Sequence, residues 1–179
     1  GDRPRGTPES ETHLYRRSTK AAQTALSALI DNAEQDIAEV LEVQLSLVHD
    51  RSLIDPTIAA IAAGSSAQDA WTLTLNEQVL RFEEADDAYF RGRASDLVDL
   101  KQQVLSYIHG ETDAMPPLLQ DAIVIADDLS PSDFARLDCR YCRGIALTKG
   151  SVNSHVALLA RSRGIPMLVG LKSVAAKPD

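Results

Sequence analysis

Leu147-Thr-Lys-Gly-Ser-Val-Asn-Ser-His155-Val-Ala-Leu-Leu-Ala-Arg-Ser-Arg-Gly-Ile-Pro-Met-Leu-Val-Gly170 passes from a polar, glycine-containing loop into an amphipathic helix and out into a short apolar run. Val156, Leu158, Leu159 and Ala160 supply one apolar helical face, Gly164 and Pro166 stop the helix, and Met167 to Val169 reads as a strand. His155 stands where the loop becomes helix. The first backbone N–H groups of a helix lack intrahelical partners, and the macrodipole places partial positive charge there. Such an end attracts phosphate and disfavours imidazolium, so a histidine there keeps a ring nitrogen available as a nucleophile. Gly150, Ser151, Asn153 and Ser154 add backbone and side-chain donors around a phosphate, and Arg161 is a candidate for phosphate contact or for a structural ion pair.

Working back from this stretch, Gly144 to Leu147 reads as the strand that feeds the loop, and Ser130-Pro-Ser-Asp133 caps a helix before it. Ala122-Ile-Val-Ile-Ala126 has the form of a buried strand. Strand and helix alternate, which predicts a small α/β subdomain over 118–179 with its site at strand-to-helix loops. Residues 111–117 read as a linker.

The period changes upstream. Leu26, Leu29, Ile30, Ala33, Ile37, Val40, Leu41, Leu47 and Val48 recur at helical spacing, predicting one long helix from about Glu11 to His49, continuous or broken near its middle. Asp55-Pro56 predicts a helix start that Gly64 ends, Ser66-Ala-Gln-Asp69 has capping-box spacing for a helix to about Glu84, and Asp87 to His109 makes a fourth. Residues 1–10 read as a flexible lead-in and 11–110 as a helical bundle. The expected class is therefore α+β / α/β, a helical bundle packed with a small α/β subdomain.

Composition narrows the function classes. The 179 residues are 44% hydrophobic and carry a net charge of −8. That charge argues against general nucleic-acid binding and favours a partner with a positive face. No run reaches the roughly 18–20 apolar residues of a membrane span, so no membrane insertion is expected. Cys139 and Cys142 are the only cysteines; a single C-x-x-C pair approaching a strand reads as incidental reduced thiols, which suits a cytoplasmic setting, and no metal site is expected.

The stretch around His155 resembles the phosphohistidine motif of Enzyme I of the phosphoenolpyruvate-dependent sugar phosphotransferase system. Pyruvate phosphate dikinase and phosphoenolpyruvate synthase share it more loosely. The family has Gly-Gly-x-Thr-Ser-His before an apolar helix, then Ala-Arg, Gly-Ile-Pro and a hydrophobic strand; Gly150, Ser154, His155, Ala160, Arg161, Gly164, Ile165, Pro166 and Gly170 match. Ser151 replaces the second glycine and Asn153 the threonine. Asp128-Leu-Ser-Pro-Ser132 resembles a second family element, while Phe134 falls where Enzyme I usually has a threonine beside the active histidine. In the helical part, Asp86-Asp-Ala-Tyr-Phe-Arg-Gly-Arg-Ala-Ser-Asp96 resembles the family's Asp-Asp-x-Tyr-Leu-x-x-Arg-Ala-x-Asp segment.

The resemblance implies a phosphotransferase domain in which a helical subdomain accompanies a swivelling phosphohistidine subdomain. His155 takes a phosphoryl group and passes it to a histidine of HPr, the small phosphocarrier protein, or of a fused HPr-like domain. It places Leu47, Leu53, Phe90, Arg93 and Asp96 at or near the HPr-docking surface; the alternatives are bundle core for Leu47, Leu53 and Phe90 and an internal ion pair for Arg93 and Asp96. Glu39, Glu42, Glu83 and Glu84 would complement a basic HPr face or form a solvated helix surface. It implies no cofactor in this chain, with Mg2+ and phosphoenolpyruvate bound by a barrel domain of the parent that these residues do not include. The piece would then be a fragment, monomeric because Enzyme I dimerises through the barrel. Parents of this kind are a free Enzyme I, a multiphosphoryl transfer protein, or the phosphocarrier subunit of a phosphoenolpyruvate-dependent dihydroxyacetone kinase. A docking module without turnover is the reading from another class, and a dikinase swivelling domain a third.

Overall fold

The structure, a computed structural model, describes residues 5–111, 117–152 and 154–172, with the backbone alone for 88–92. Two compact units divide the chain, Gly1–Glu34 with Ala38–Asp113 and Gln35–Ile37 with Ala114–Asp179.

The first unit is helical. It contains α1 (Pro8–Asn32), most of α2 (Gln35–Val48), α3 (Arg51–Ala62), α4 (Ala67–Glu83) and α5 (Ala88–His109). Of the two alternatives for the first long helix the broken one holds: Ala33 and Glu34, both extended, separate α1 from α2. α1 starts at Pro8, inside the expected lead-in, because the Thr7 hydroxyl accepts from the Ser10 N–H and Pro8 occupies the first helical position. α3 also starts earlier than expected. Asp50 accepts from the Ser52 N–H and is the cap, so Pro56 lies inside the helix, where it costs one backbone hydrogen bond. Ser66 caps α4 as its spacing predicts, accepting from the Asp69 N–H at 3.0 Å.

Tyr15, Leu26, Leu41, Leu53, Ile61, Trp71, Leu75, Leu97 and Leu100 are buried and form the bundle core. Among them sits a polar knot in which the Gln44 amide donates to Asp99 at 2.7 Å and the Gln103 amide donates to both Asp99 and Gln44 at 3.1 Å. Glu11 is only 1% exposed and accepts from the Gly6 N–H at 2.7 Å and from the Ala67 N–H, at the start of α4, at 2.9 Å. Glu11→Ala is expected to strand both donors and lower unfolding stability by about 2–3 kcal/mol. Denaturant titration followed by circular dichroism measures this; a cost under about 0.5 kcal/mol would mean that water replaces the carboxylate.

The second unit alternates β1 (Ala122–Ala126), α6 (Pro131–Arg136), β2 (Cys142–Leu147), α7 (His155–Ser162) and β3 (Met167–Leu168). The strands form a parallel sheet in the order β1-β2-β3, with Val124 opposite Ile145 and Ile145 opposite Met167. Chain order and parallel pairing require the two helices as crossovers. The buried-strand reading of β1 is corrected. Ile123 is 64% and Ile125 47% exposed while Ala122, Val124 and Ala126 are half-buried, so one face of this edge strand is left uncovered. β2 starts two residues earlier than expected, with the Cys142 side chain already buried. Ser130 and Asp133 form a reciprocal capping box on α6.

Candidate functional site

α7 begins at His155, one residue after its cap Ser154, whose hydroxyl accepts from the Ala157 N–H at 3.2 Å. Ser154 has extended backbone, so the chain turns into the helix at this residue. Val156, Ala157, Leu159 and Ala160 are buried and fix the helix, whereas Leu158, expected on the packed face, is 49% exposed. The His155 side chain is half-buried. It thus stands beside the positive end of α7, at the edge of the sheet where the parallel strands end.

The loop before it is stitched to both flanking segments. Thr148 N–H donates to the Ala126 carbonyl at 3.1 Å and Lys149 N–H to the Asp127 carbonyl at 2.7 Å, tying the loop to the end of β1. On the other side, Leu171 N–H donates to the Leu147 carbonyl at 3.1 Å. Gly150 has φ +88°, and a Cβ there would lie 3.4 Å from Asp128 Oδ1 and 3.7 Å from Leu147 and Val169 side-chain atoms. Only glycine meets both the conformation and the close approach. Ser154 N–H closes a turn onto the Ser151 carbonyl at 3.1 Å. Gly150 and Ser151 are exposed; Asn153 lies outside the described residues.

Asp127 was not singled out by the sequence reading. Its carboxylate accepts from the Thr148 hydroxyl at 2.7 Å and pairs with Lys149 Nζ at 3.4 Å. The Thr148 hydrogen bond, then Lys149, hold its pKa below the ordinary carboxylate value. The only sequence signal was its place directly after a strand. Arg161 lies on the last turn of α7, exposed, and its side chain makes no hydrogen bond or ion pair among the described residues. The structural ion pair considered for it is therefore not seen. With Val152, Ala157, Ile165, Pro166 and Met167 it lines a hollow of about 300 Å³.

The far end of α7 is anchored. Arg163, at its C-terminal cap, donates to Asp36 at 2.9 Å and 3.1 Å and lies over the Phe134 ring at 5.6 Å. Phe134 is fully buried, so this departure from the threonine of Enzyme I serves as core beneath α6 and α7. The Arg163 hydrogen bond pulls the Asp36 pKa below the usual range, against a smaller opposing effect of desolvation. A depressed carboxylate pKa contributes stability that is present above the unfolded value and lost as pH falls through the folded one. Asp36 is 46% exposed, so solvent screening keeps the contribution under about 1 kcal/mol. Asp36→Asn is expected to lower the unfolding midpoint slightly at pH 7, and the difference from the parent to vanish on acidification below the ordinary carboxylate range. A difference that grows on acidification would overturn this.

The other predicted positions lie in the helical unit. Leu53 is 2% exposed and belongs to the bundle core, which corrects its placement on a docking surface: its side chain is spent on packing. Leu47 is half-buried. Arg93 pairs with the fully buried Asp96 at 3.1 Å, the internal ion pair considered for them. The Phe90 side chain lies outside the described residues. Neither Cys139 nor Cys142 is in a disulfide, and no group of three or more His, Cys, Asp or Glu side chains among the described residues could hold a metal ion. No helix among the described residues is long and apolar enough to cross a membrane.

Comparison with known proteins agrees with this layout. Residues 2–93 match the family description "PEP-utilising enzyme, N-terminal", and residues 118–178, with His155, match "PEP-utilising enzyme, mobile domain". A phosphoenolpyruvate-protein phosphotransferase of Listeria innocua is 33% identical over 94% of this chain and 30% of its own length. Multiphosphoryl transfer protein 2 of Escherichia coli is 34% identical over 88% of the chain and 20% of its own. The chain thus spans about 30% of the length of the first of these relatives. A solved solution structure of Enzyme I superposes with a TM-score of 0.78 at 28% identity, covering 92% of this chain and 68% of that one. The N-terminal domain of Enzyme 1 - Nitrogen, 24% identical with a TM-score of 0.68, shares the fold.

Proposed function

From the premise that the chain belongs to the PEP-utilising enzyme family, we propose that it is a phosphoryl-carrier domain of the Enzyme I type, phosphorylated on His155. The observation that carries this reading is the place of His155 at the first position of α7, behind a glycine-turned loop at the strand ends.

Two in-line transfers are involved. In loading, the lone pair of a neutral His155 ring nitrogen attacks phosphorus, and the N–P bond forms as the donor's enol O–P bond breaks with the oxygen keeping the electron pair; in passing the group on, the acceptor histidine nitrogen attacks phosphorus and the His155 nitrogen keeps the pair of the bond that breaks. Catalysis rests on positioning and charge stabilisation. The phosphoryl group adds about two negative charges, which the N–H groups of the first turn of α7 and the Ser154 region offset. The loop's ties to Ala126, Asp127 and Leu171 hold that geometry without needing the ligand. Arg161 is a cation on α7, exposed and with no carboxylate partner among the described residues. The phosphoryl group would arrive from the phosphoenolpyruvate-binding domain of a longer parent and leave to a histidine of HPr or an HPr-like domain.

The deciding experiment is transfer of radiolabelled phosphate from phospho-HPr to this chain, with acid and alkali treatment of the product. Acid-labile, alkali-stable label is expected. HPr that binds without transferring label would overturn the carrier reading in favour of a docking module.

A further inference from the structure

The middle of α1 carries a run of basic residues in a chain that is acidic as a whole. His13, Arg16, Arg17 and Lys20 are all exposed, and their spacing of three and four places them on one face along roughly 10 Å of helix. None of the four side chains makes a hydrogen bond or ion pair among the described residues. This contrasts with Arg51, Arg93, Arg140, Arg143, Lys149 and Arg163, each of which pairs with an aspartate. The chain has 26 acidic residues, yet none lies between Thr12 and Ile30. The stripe continues into Thr24 and Ser27, exposed, small and uncharged, so the next two turns present no obstacle to a close neighbour.

We infer that this face of α1 docks an acidic helical segment of a protein partner. A helix with carboxylates at every third or fourth residue presents charge at intervals of about 5–6 Å, which matches the spacing of the cations on α1. A nucleic-acid backbone fits less well: its charge is far denser, and the three cations Arg16, Arg17 and Lys20 do not outweigh the repulsion from a chain of net charge −8. The surface lies on α1, whereas the residues considered for HPr lie on α2, α3 and α5 and at the end of α4, and it has the wrong sign for a basic partner. The inference is independent of the carrier reading.

The test titrates the isotope-labelled chain with an alanine-rich peptide of about 20 residues carrying glutamate at every fourth position, at low salt, and follows amide shifts. Saturable shifts confined to α1 are expected, with binding weakened about tenfold in the triple variant Arg16→Glu, Arg17→Glu, Lys20→Glu and several-fold by raising salt above 0.2 M. These side chains are exposed, so the variant keeps the parent's circular dichroism spectrum. Three results would overturn the inference: no saturable shift, equal binding by the triple variant, or tighter binding of an oligothymidylate of matched charge than of the peptide.

Discussion

His155→Ala is expected to reduce phosphoryl labelling from phospho-HPr to background, a loss of at least about 10³-fold, since no other group supplies the attacking electron pair. The chain has four histidines, and their places in the helices separate them. His49 caps the C-terminal end of α2 and His109 is the last residue of α5, where the negative end of the helix dipole repels a phosphate. His49 Nδ1 is also engaged by the Leu45 carbonyl at 2.9 Å, and His109 Nε2 by Gln68 at 3.0 Å. His13 sits within α1, away from either end. Only His155 begins a helix. The alanine is tolerated at that position, because the cap bond belongs to Ser154, so melting temperature is expected to change little. Label persisting in the variant would place the carrier on another residue.

Trp71→Ala is expected to cost about 3–5 kcal/mol of unfolding stability. The indole is 1% exposed, packs against Tyr15 at 5.7 Å between ring centroids, and donates to the Lys101 carbonyl at 3.3 Å. Truncation removes the ring contact and the indole hydrogen bond and leaves a cavity in the middle of the bundle. It also opens the surroundings of Tyr15, whose hydroxyl pKa burial pushes up to about 12, so the tyrosine should titrate nearer its ordinary value in the variant. Trp71 is the only tryptophan, and circular dichroism is the suitable probe. A cost under about 1 kcal/mol would show that the core collapses to fill the space.

The site and the strand–helix order were legible because each rests on local chemistry. The Ser66 and Ser130 caps, the Gly64, Gly110 and Gly150 turns with positive φ, and the start of α7 at His155 all follow from a residue's own backbone preference or its reach to an N–H three residues on. Pro56 misled for the complementary reason. Proline suits a first turn, but Asp50 caps α3 from five residues further back, and the packing of Leu53, Thr57 and Ile61 outweighs the lost hydrogen bond. Ile123 and Ile125 read as buried because an apolar run does not reveal whether its strand is central or at an edge. Leu53 read equally well as core or docking residue for the same reason: hydrophobicity marks a tendency to be covered, without naming the cover.

By itself, then, the sequence determined the helix-to-strand change near residue 118, the glycine turn, the cap, and a histidine at a helix N-terminus, since each depends on contacts within a few residues. The tertiary structure alone decided the rest: that Asp127 clasps Thr148 and Lys149 across two strand ends, that Asp36 anchors Arg163 across more than a hundred residues, and that Glu11 caps α4. Those partners share no local pattern, and their distance in sequence is closed only when the sheet pairs and the bundle packs.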